Sequence, residues 1–181
     1  KNIKRVLRWG VGRAGLKQCR ADCILLPCKE VARDRVLDDR ELARVILAAR
    51  KIGGPYGGII ELLALTGQRR EEVAGSTWNE FDLSQRVWTL PKERTKNAKQ
   101  HSVHLSVQAI AVLKRMTKKG PFVFSVHGTI PFRNFSLEKR ALDEMSGLTG
   151  WRLHDIRLTC VSGLARLGIA PHVADKILNH Q

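Results

Sequence analysis

Glycine and proline cut this chain into blocks too short for anything but modest helices and strands, and the apolar spacing inside each block says which it is. Asp38 can cap a first helical turn, with Glu41 three residues on to complete a capping box and Leu37 and Leu42 placed as a hydrophobic staple. That helix runs through Leu42, Val45, Ile46 and Ala49 and ends at Gly53-Gly54-Pro55. A second apolar helix is expected over residues 58–65, stopping at Gly67, where a left-handed cap is cheap for glycine. Tyr56, the only tyrosine, reads as part of a Gly-Pro-Tyr-Gly-Gly turn before it.

A short helix over 70–74 follows, and then strand-like pieces at 78–83, 86–90 and 102–105, with a polar turn over 91–100. Ser106 is placed to cap a helix whose buried face would be Val107, Ile110, Leu113 and Met116. Later helices are expected over 136–145, 154–167 and 171–178, with Pro171 at a first helical position and Gly168 at a stop. The pattern predicts an α+β fold, mainly α-helical, with one small three-stranded antiparallel sheet. Residues 1–14 are loosely helical and 16–35 read as a linker. The expected division is therefore 1–33, the end of a preceding domain plus linker, and 34–181, the main domain.

Lys and Arg number 32 against 17 acidic residues, a formal charge of +15, which favours a polyanionic partner, nucleic acid first. An anionic membrane surface fits less well, because the basic residues are spread along the chain and not gathered on one amphipathic helix. There is no apolar run of about 18 residues to span a bilayer. The start has no signal-peptide pattern. Cys19, Cys23 and Cys28 are spaced C-x3-C-x4-C with no fourth ligand close by, unlike zinc-site patterns, so free thiols are expected. No cofactor is implied.

Four separated segments carry polar residues that packing does not require: Thr66 to Val73, the turn with Arg94 to Asn97, His154 to Arg157, and Leu178 to His180. Arginine is planar, permanently charged and grips two phosphate oxygens at once. Arg69 and Arg157 could therefore clamp one phosphodiester and neutralise the charge that grows on it, with no metal needed. Lys96, on a hairpin tip, could protonate a leaving oxygen. His154 and Arg157 are three apart and share a helix face, with His154 near the positive helix end. Each has a plainer reading: Arg69 paired with Glu72, Lys96 in a solvated basic turn, a chance His-x-x-Arg, a terminal His180. His101, His104, His127 and His172 are set aside as surface or structural. The weight lies in the ordered set.

That set resembles the tyrosine recombinase family, and within it the integrases of phages and genomic islands. The box Thr-Gly-x-Arg-x-x-Glu is met by Thr66, Gly67, Arg69 and Glu72; the hairpin lysine by Arg94-Thr-Lys-Asn97; the box His-Asp-hydrophobic-Arg by His154 to Arg157; Leu-x-His by Leu178 and His180. The resemblance implies that Arg69 and Arg157 clamp the scissile phosphate and that Lys96 is general acid on the 5′ oxygen. His154 would assist proton transfer or position the phosphate, His180 would hydrogen-bond a phosphate oxygen, and Glu72 would be structural. Arg94, Lys99 and Arg152 would be further DNA contacts. The implied reaction is strand cleavage and rejoining through a 3′-phosphotyrosyl link, on double-stranded DNA attachment sites in the bacterial cytosol. A homotetramer on DNA, with DNA-bending accessory proteins, is the implied assembly.

The family's tyrosine lies shortly after the Leu-x-His histidine, and Tyr56 does not match it. The nucleophile is therefore expected beyond Gln181, and the chain as given is expected not to cleave. Two other readings stay open: a non-catalytic DNA-binding relative, and type IB topoisomerase-like chemistry. A metal nuclease is disfavoured by the lack of a D-x-D carboxylate pattern.

Overall fold

The computed structural model describes residues 2–11, 13–14, 19 and 34–179. The chain divides into two compact units, 1–33 and 34–181. In the first, helix α1 spans Asn2–Gly10. The expected linker up to residue 33, apart from Cys19, lies outside the described residues, as do Cys23 and Cys28.

The second unit opens on the expected capping box. Asp38 accepts from the Glu41 amide at 2.8 Å, and the Glu41 carboxylate accepts from the Asp38 amide at 3.0 Å. Hydrogen bonds from Arg35 and the Asp38 amide hold the Glu41 carboxyl below its ordinary value. Leu37 is buried and Leu42 packs against the core. Helix α2 spans Asp39–Ile52. Helix α3 spans Gly54–Thr66, starting four residues before the expected position. Pro55 falls in its first turn, where the missing amide costs nothing. Tyr56 is thus not in a turn. It lies inside α3, buried, with its ring centroid 5.7 Å from Phe132 and 6.3 Å from Phe135.

Helix α3 is the axis of the fold. It is apolar around most of its circumference because other helices cover it on several sides: α2, α4 (Arg70–Ala74), α5 (Val107–Lys114) and α7 (Leu153–Arg166). Gly57 makes the α2 approach possible, since a Cβ there would stand 2.3 Å from the Ala49 carbonyl oxygen. Ile59, Ile60 and Leu62 are fully buried, each contributing on the order of 1.5–3 kcal/mol of apolar transfer.

The sheet is antiparallel in the order β1 (Phe81–Asp82), β2 (Val87–Leu90), β3 (His101–His104), with Phe81 opposite Trp88 and Leu90 opposite His101. Trp88, Leu90 and Val103 point to the core. Residues 78–80, expected as strand, form a 3-10 turn, because Glu80 folds back to accept from the Thr77 amide at 3.2 Å and hydroxyl at 3.0 Å. Ser106 caps α5 through the Ala109 amide at 3.1 Å. The buried face of α5 is Ala109, Val112 and Leu113; Val107, at the first helical position, is 63% exposed, contrary to expectation. Helices α6 (Phe135–Ser146), α7 and α8 (Pro171–Ile177) follow within a residue or so of their expected places. No helix among the described residues is long and apolar enough to cross a membrane.

Candidate active site

The end of α3 sets the first arginine. Gly67 takes φ +63° and donates its amide to the Leu63 carbonyl, turning the chain out of the helix. Arg69 follows as the residue before α4, and its own amide donates to the Glu72 carboxylate at 3.0 Å. The same carboxylate accepts from Arg69 Nη1 at 2.9 Å, so Glu72, buried, fixes both ends of Arg69. The pairing with Glu72 thus exists, and it orients the guanidinium without exhausting it.

The second arginine comes from the start of α7. The Asp155 carboxylate accepts from the Arg152 amide at 2.8 Å, which fixes the first turn in the manner of Glu72 before α4. Arg157, 3% exposed, donates Nη1 to the Gly67 carbonyl at 2.6 Å and Nη2 to the Leu178 carbonyl. Burial, with the nearby Arg69 charge adding to it and Glu72 opposing it, pushes Arg157 down to about 10. It is still a cation at neutral pH. A guanidinium carries five N–H groups. The named side-chain bonds use two donor nitrogens on each arginine.

Arg69, Glu72, Arg94, Lys96, Arg152, His154 and Arg157 all line one cavity of about 810 Å³. Arg69 and Arg157, far apart in the chain, thus line the same hollow. Lys96 and His154 are exposed on its wall. Lys99 is exposed on the hairpin and outside the cavity lining. Arg94, read from the sequence as a DNA contact, is committed inward: its guanidinium grips the Glu80 carboxylate and donates to the Glu72 carbonyl at 2.6 Å. It braces the Arg69–Glu72 pair. His180 lies outside the described residues.

The sequence reading passed over other members. Gln68, fully buried, donates to the Thr66 and Ile177 carbonyls at 3.1 and 2.9 Å. Asn97 donates to Asn179 Oδ1 at 2.6 Å, and His101 Nε2 donates to the Ile177 carbonyl at 3.2 Å. Asn97 and Asn179 were in the quoted motifs, but nothing local marks them as partners. At the far side of the cavity Arg70 stands 4.7 Å over the Phe135 ring and Lys139 3.9 Å over Trp151. Seven Arg and Lys side chains line the cavity with Glu71, Glu72 and the apolar Leu63, Phe135, Trp151 and Leu153, an excess of positive charge that favours a polyanion. Among the described residues no group of three or more His, Cys, Asp or Glu side chains is arranged to hold a metal ion. Buried Tyr56 has no hydrogen-bond partner for its hydroxyl, and burial raises its pKa well above the ordinary phenol value.

A mainly helical domain with this sheet, and two arginines sharing a cationic hollow, has the fold of a tyrosine recombinase catalytic domain. The phage integrase family model matches residues 35–181, and the chain belongs to that family. It is similar to the integrase of Salmonella phage P22, 26% identical over 164 residues, covering 83% of this chain and 42% of that protein. A putative integrase/recombinase of Haemophilus influenzae is 36% identical over 93 residues, covering 49% of this chain and 24% of that one. The chain thus spans less than half the length of these curated relatives. Among solved structures, a lambda integrase tetramer bound to a Holliday junction superposes with a TM-score of 0.73 at 15% identity, over 99% of this chain and 56% of that one. XerA recombinase gives 0.68 at 21% identity, over 86% and 58%.

Proposed function

We propose that this chain is the catalytic part of a tyrosine-type site-specific DNA recombinase. The observation that carries the reading is the meeting of Arg69 and Arg157 in one cavity with Lys96 and His154. In the reaction, a tyrosine oxygen attacks the scissile phosphorus and forms a new P–O bond. The bond to the 5′ oxygen breaks, and Lys96 supplies the proton that oxygen needs. Arg69 and Arg157 neutralise the non-bridging oxygens as charge builds there. His154 assists the tyrosine proton's departure or positions the phosphate, and His180 donates to a phosphate oxygen. The ester conserves the bond energy, so reversal with a new 5′ hydroxyl rejoins strands without ATP. Burial of Tyr56 inside α3 supports a nucleophile other than Tyr56, from outside these 181 residues.

Lys99 and Arg152, both exposed, would contact flanking phosphates. Residues 1–33 would be the C-terminal remnant of a core-binding domain and its linker. The substrates would be paired double-stranded attachment sites, held by a homotetramer with DNA-bending accessory proteins in the bacterial cytosol. The test is covalent capture of a nicked attachment-site duplex by the complete gene product. Capture through a phosphotyrosine, lost in Arg69→Ala and Arg157→Ala, is expected; normal trapping of nicked DNA by both variants would defeat the site assignment. Binding without any covalent product would point to a non-catalytic relative, and supercoil relaxation without strand exchange to a topoisomerase.

A further inference from the structure

The three residues that precede His180 are held from several sides by groups that are far away in sequence. The Ile177 carbonyl accepts from Gln68 and from His101, at 2.9 and 3.2 Å. The Leu178 carbonyl accepts from Arg157, and the Asn179 carbonyl from Arg69 at 3.0 Å. Carbonyls at the end of a helix have no intrahelical partner and carry the negative end of its dipole, so cationic and amide donors suit them. Asn179 itself sits at φ +53°, a conformation asparagine tolerates better than most residues.

The hairpin closes this arrangement. Asn97 Nδ2 donates to Asn179 Oδ1 at 2.6 Å, and Asn179 Nδ2 donates back to Asn97 Oδ1 at 3.5 Å. Asn97 is the immediate neighbour of Lys96. His101 opens β3 at the other end of the same loop. Lys96 is exposed, and no hydrogen bond or ion pair of its side chain is present among the described residues. The loop that carries this exposed ammonium is therefore pinned on the side of the 177–179 turn, by a side-chain pair 82 residues apart in sequence.

We infer that Asn97 is a positioning residue that ties the Lys96 hairpin to the Asn179 turn, with His101 as second anchor, so that the general acid and the segment leading to His180 are placed together. The consequence for Lys96 rests on the recombinase reading; the tie itself does not. Each side-chain amide donates to the other's oxygen, so a carboxylate at either position can still accept from the facing N–H, and the bond becomes charge-assisted. Alanine at position 97 removes the bond altogether.

The experiment has two arms. In the 181-residue chain, amide hydrogen exchange is followed at Leu178 and Asn179. Asn97→Ala should speed it about five-fold, the scale of one net hydrogen bond, and the conservative Asn97→Asp and Asn179→Asp should each leave it near the parent rate. Unchanged exchange in Asn97→Ala overturns the tie. In the complete protein, Asn97→Ala should slow cleavage of an ordinary nicked substrate about five- to ten-fold. It should cleave at the parent rate a substrate whose 5′ bridging oxygen is replaced by sulfur, because a thiolate leaves without a proton. Equal slowing on both substrates overturns action through Lys96. If the complete parent protein forms no covalent product, the recombinase reading fails together with the Lys96 consequence, and the exchange arm still decides the tie.

Discussion

Replacing Gly67 by alanine strikes the junction where fold and site meet. Gly67 sits at φ +63°, and a left-handed conformation costs a residue with a Cβ roughly 1–2 kcal/mol. The new Cβ would stand 2.6 Å from Leu178 Cδ2 and 2.8 Å from Cys160 Sγ. Leu178 is 1% exposed and has little room to yield, so overpacking adds roughly 1–3 kcal/mol. The lower entropy of the unfolded alanine chain returns about 0.4–1 kcal/mol. The net loss is about 1–5 kcal/mol, or several degrees in Tm for a domain of this size. The strain would also fall on the Gly67 and Leu178 carbonyls that hold Arg157. Gly163→Ala is the control: Gly163 lies inside α7, has nothing within 4 Å of its would-be Cβ, and should gain roughly 0.5–1 kcal/mol. Urea denaturation of both variants measures the pair. A Gly67→Ala loss below about 0.5 kcal/mol, or the same sign for both variants, would refute the left-handed, tightly packed Gly67.

Three further outcomes are expected. Arg94→Ala leaves Glu80, 8% exposed at its side chain, without its charged partner, and should cost roughly 2–4 kcal/mol by chemical denaturation; a loss no larger than that of Lys99→Ala would contradict the bracing role. His101 has its pKa lowered chiefly by burial, with Arg157 and Arg69 adding to it and the Ile177 carbonyl and Glu72 opposing. The unfolded state then binds more protons, so its contribution is complete above the ordinary histidine pKa of about 6.5 and is lost as pH falls through the lowered value. The stability gap between parent and His101→Gln should therefore shrink from pH 8 to pH 5, and a constant gap would remove the titration argument. DNA affinity should fall steeply with salt, and Lys99→Ala should reduce the slope of log K against log salt by about one; an unchanged slope would take Lys99 off the DNA.

What could be read from the chain alone was whatever is fixed locally. The Asp38–Glu41 capping box, the Gly67 stop and the Ser106 cap each depend on residues within a turn of one another, and each is present. Thr77 and Glu80 carry the same kind of local signal, which the alternating apolar pattern around Trp78 masked, hence the strand expected in place of a 3-10 turn. Pro55 after two glycines reads as a break, whereas at a helix start it is neutral, so the sequence pattern starts α3 four residues late and leaves Tyr56 in a turn. Val107 fits the apolar spacing of α5 and still faces out, because tertiary packing and not periodicity chooses the face. In the candidate site, Arg69, Lys96, His154 and Arg157, marked in the sequence by three of the four ordered segments, line one cavity. The inward grip of Arg94 on Glu80 and the Asn97–Asn179 pair were not legible, since their partners lie 14 and 82 residues away with no sequence mark of the pairing.

If Arg69 and Arg157 grip one phosphate, a neutral methylphosphonate walked one position at a time across the attachment-site duplex locates it, with binding measured for the complete protein, for Arg69→Ala and for Arg157→Ala. A single position is expected at which charge removal weakens the parent but is largely silent in both variants, a coupling of about 1–3 kcal/mol for each arginine. Coupling to two different phosphates, or to none, would mean that the two guanidinium groups do not share one.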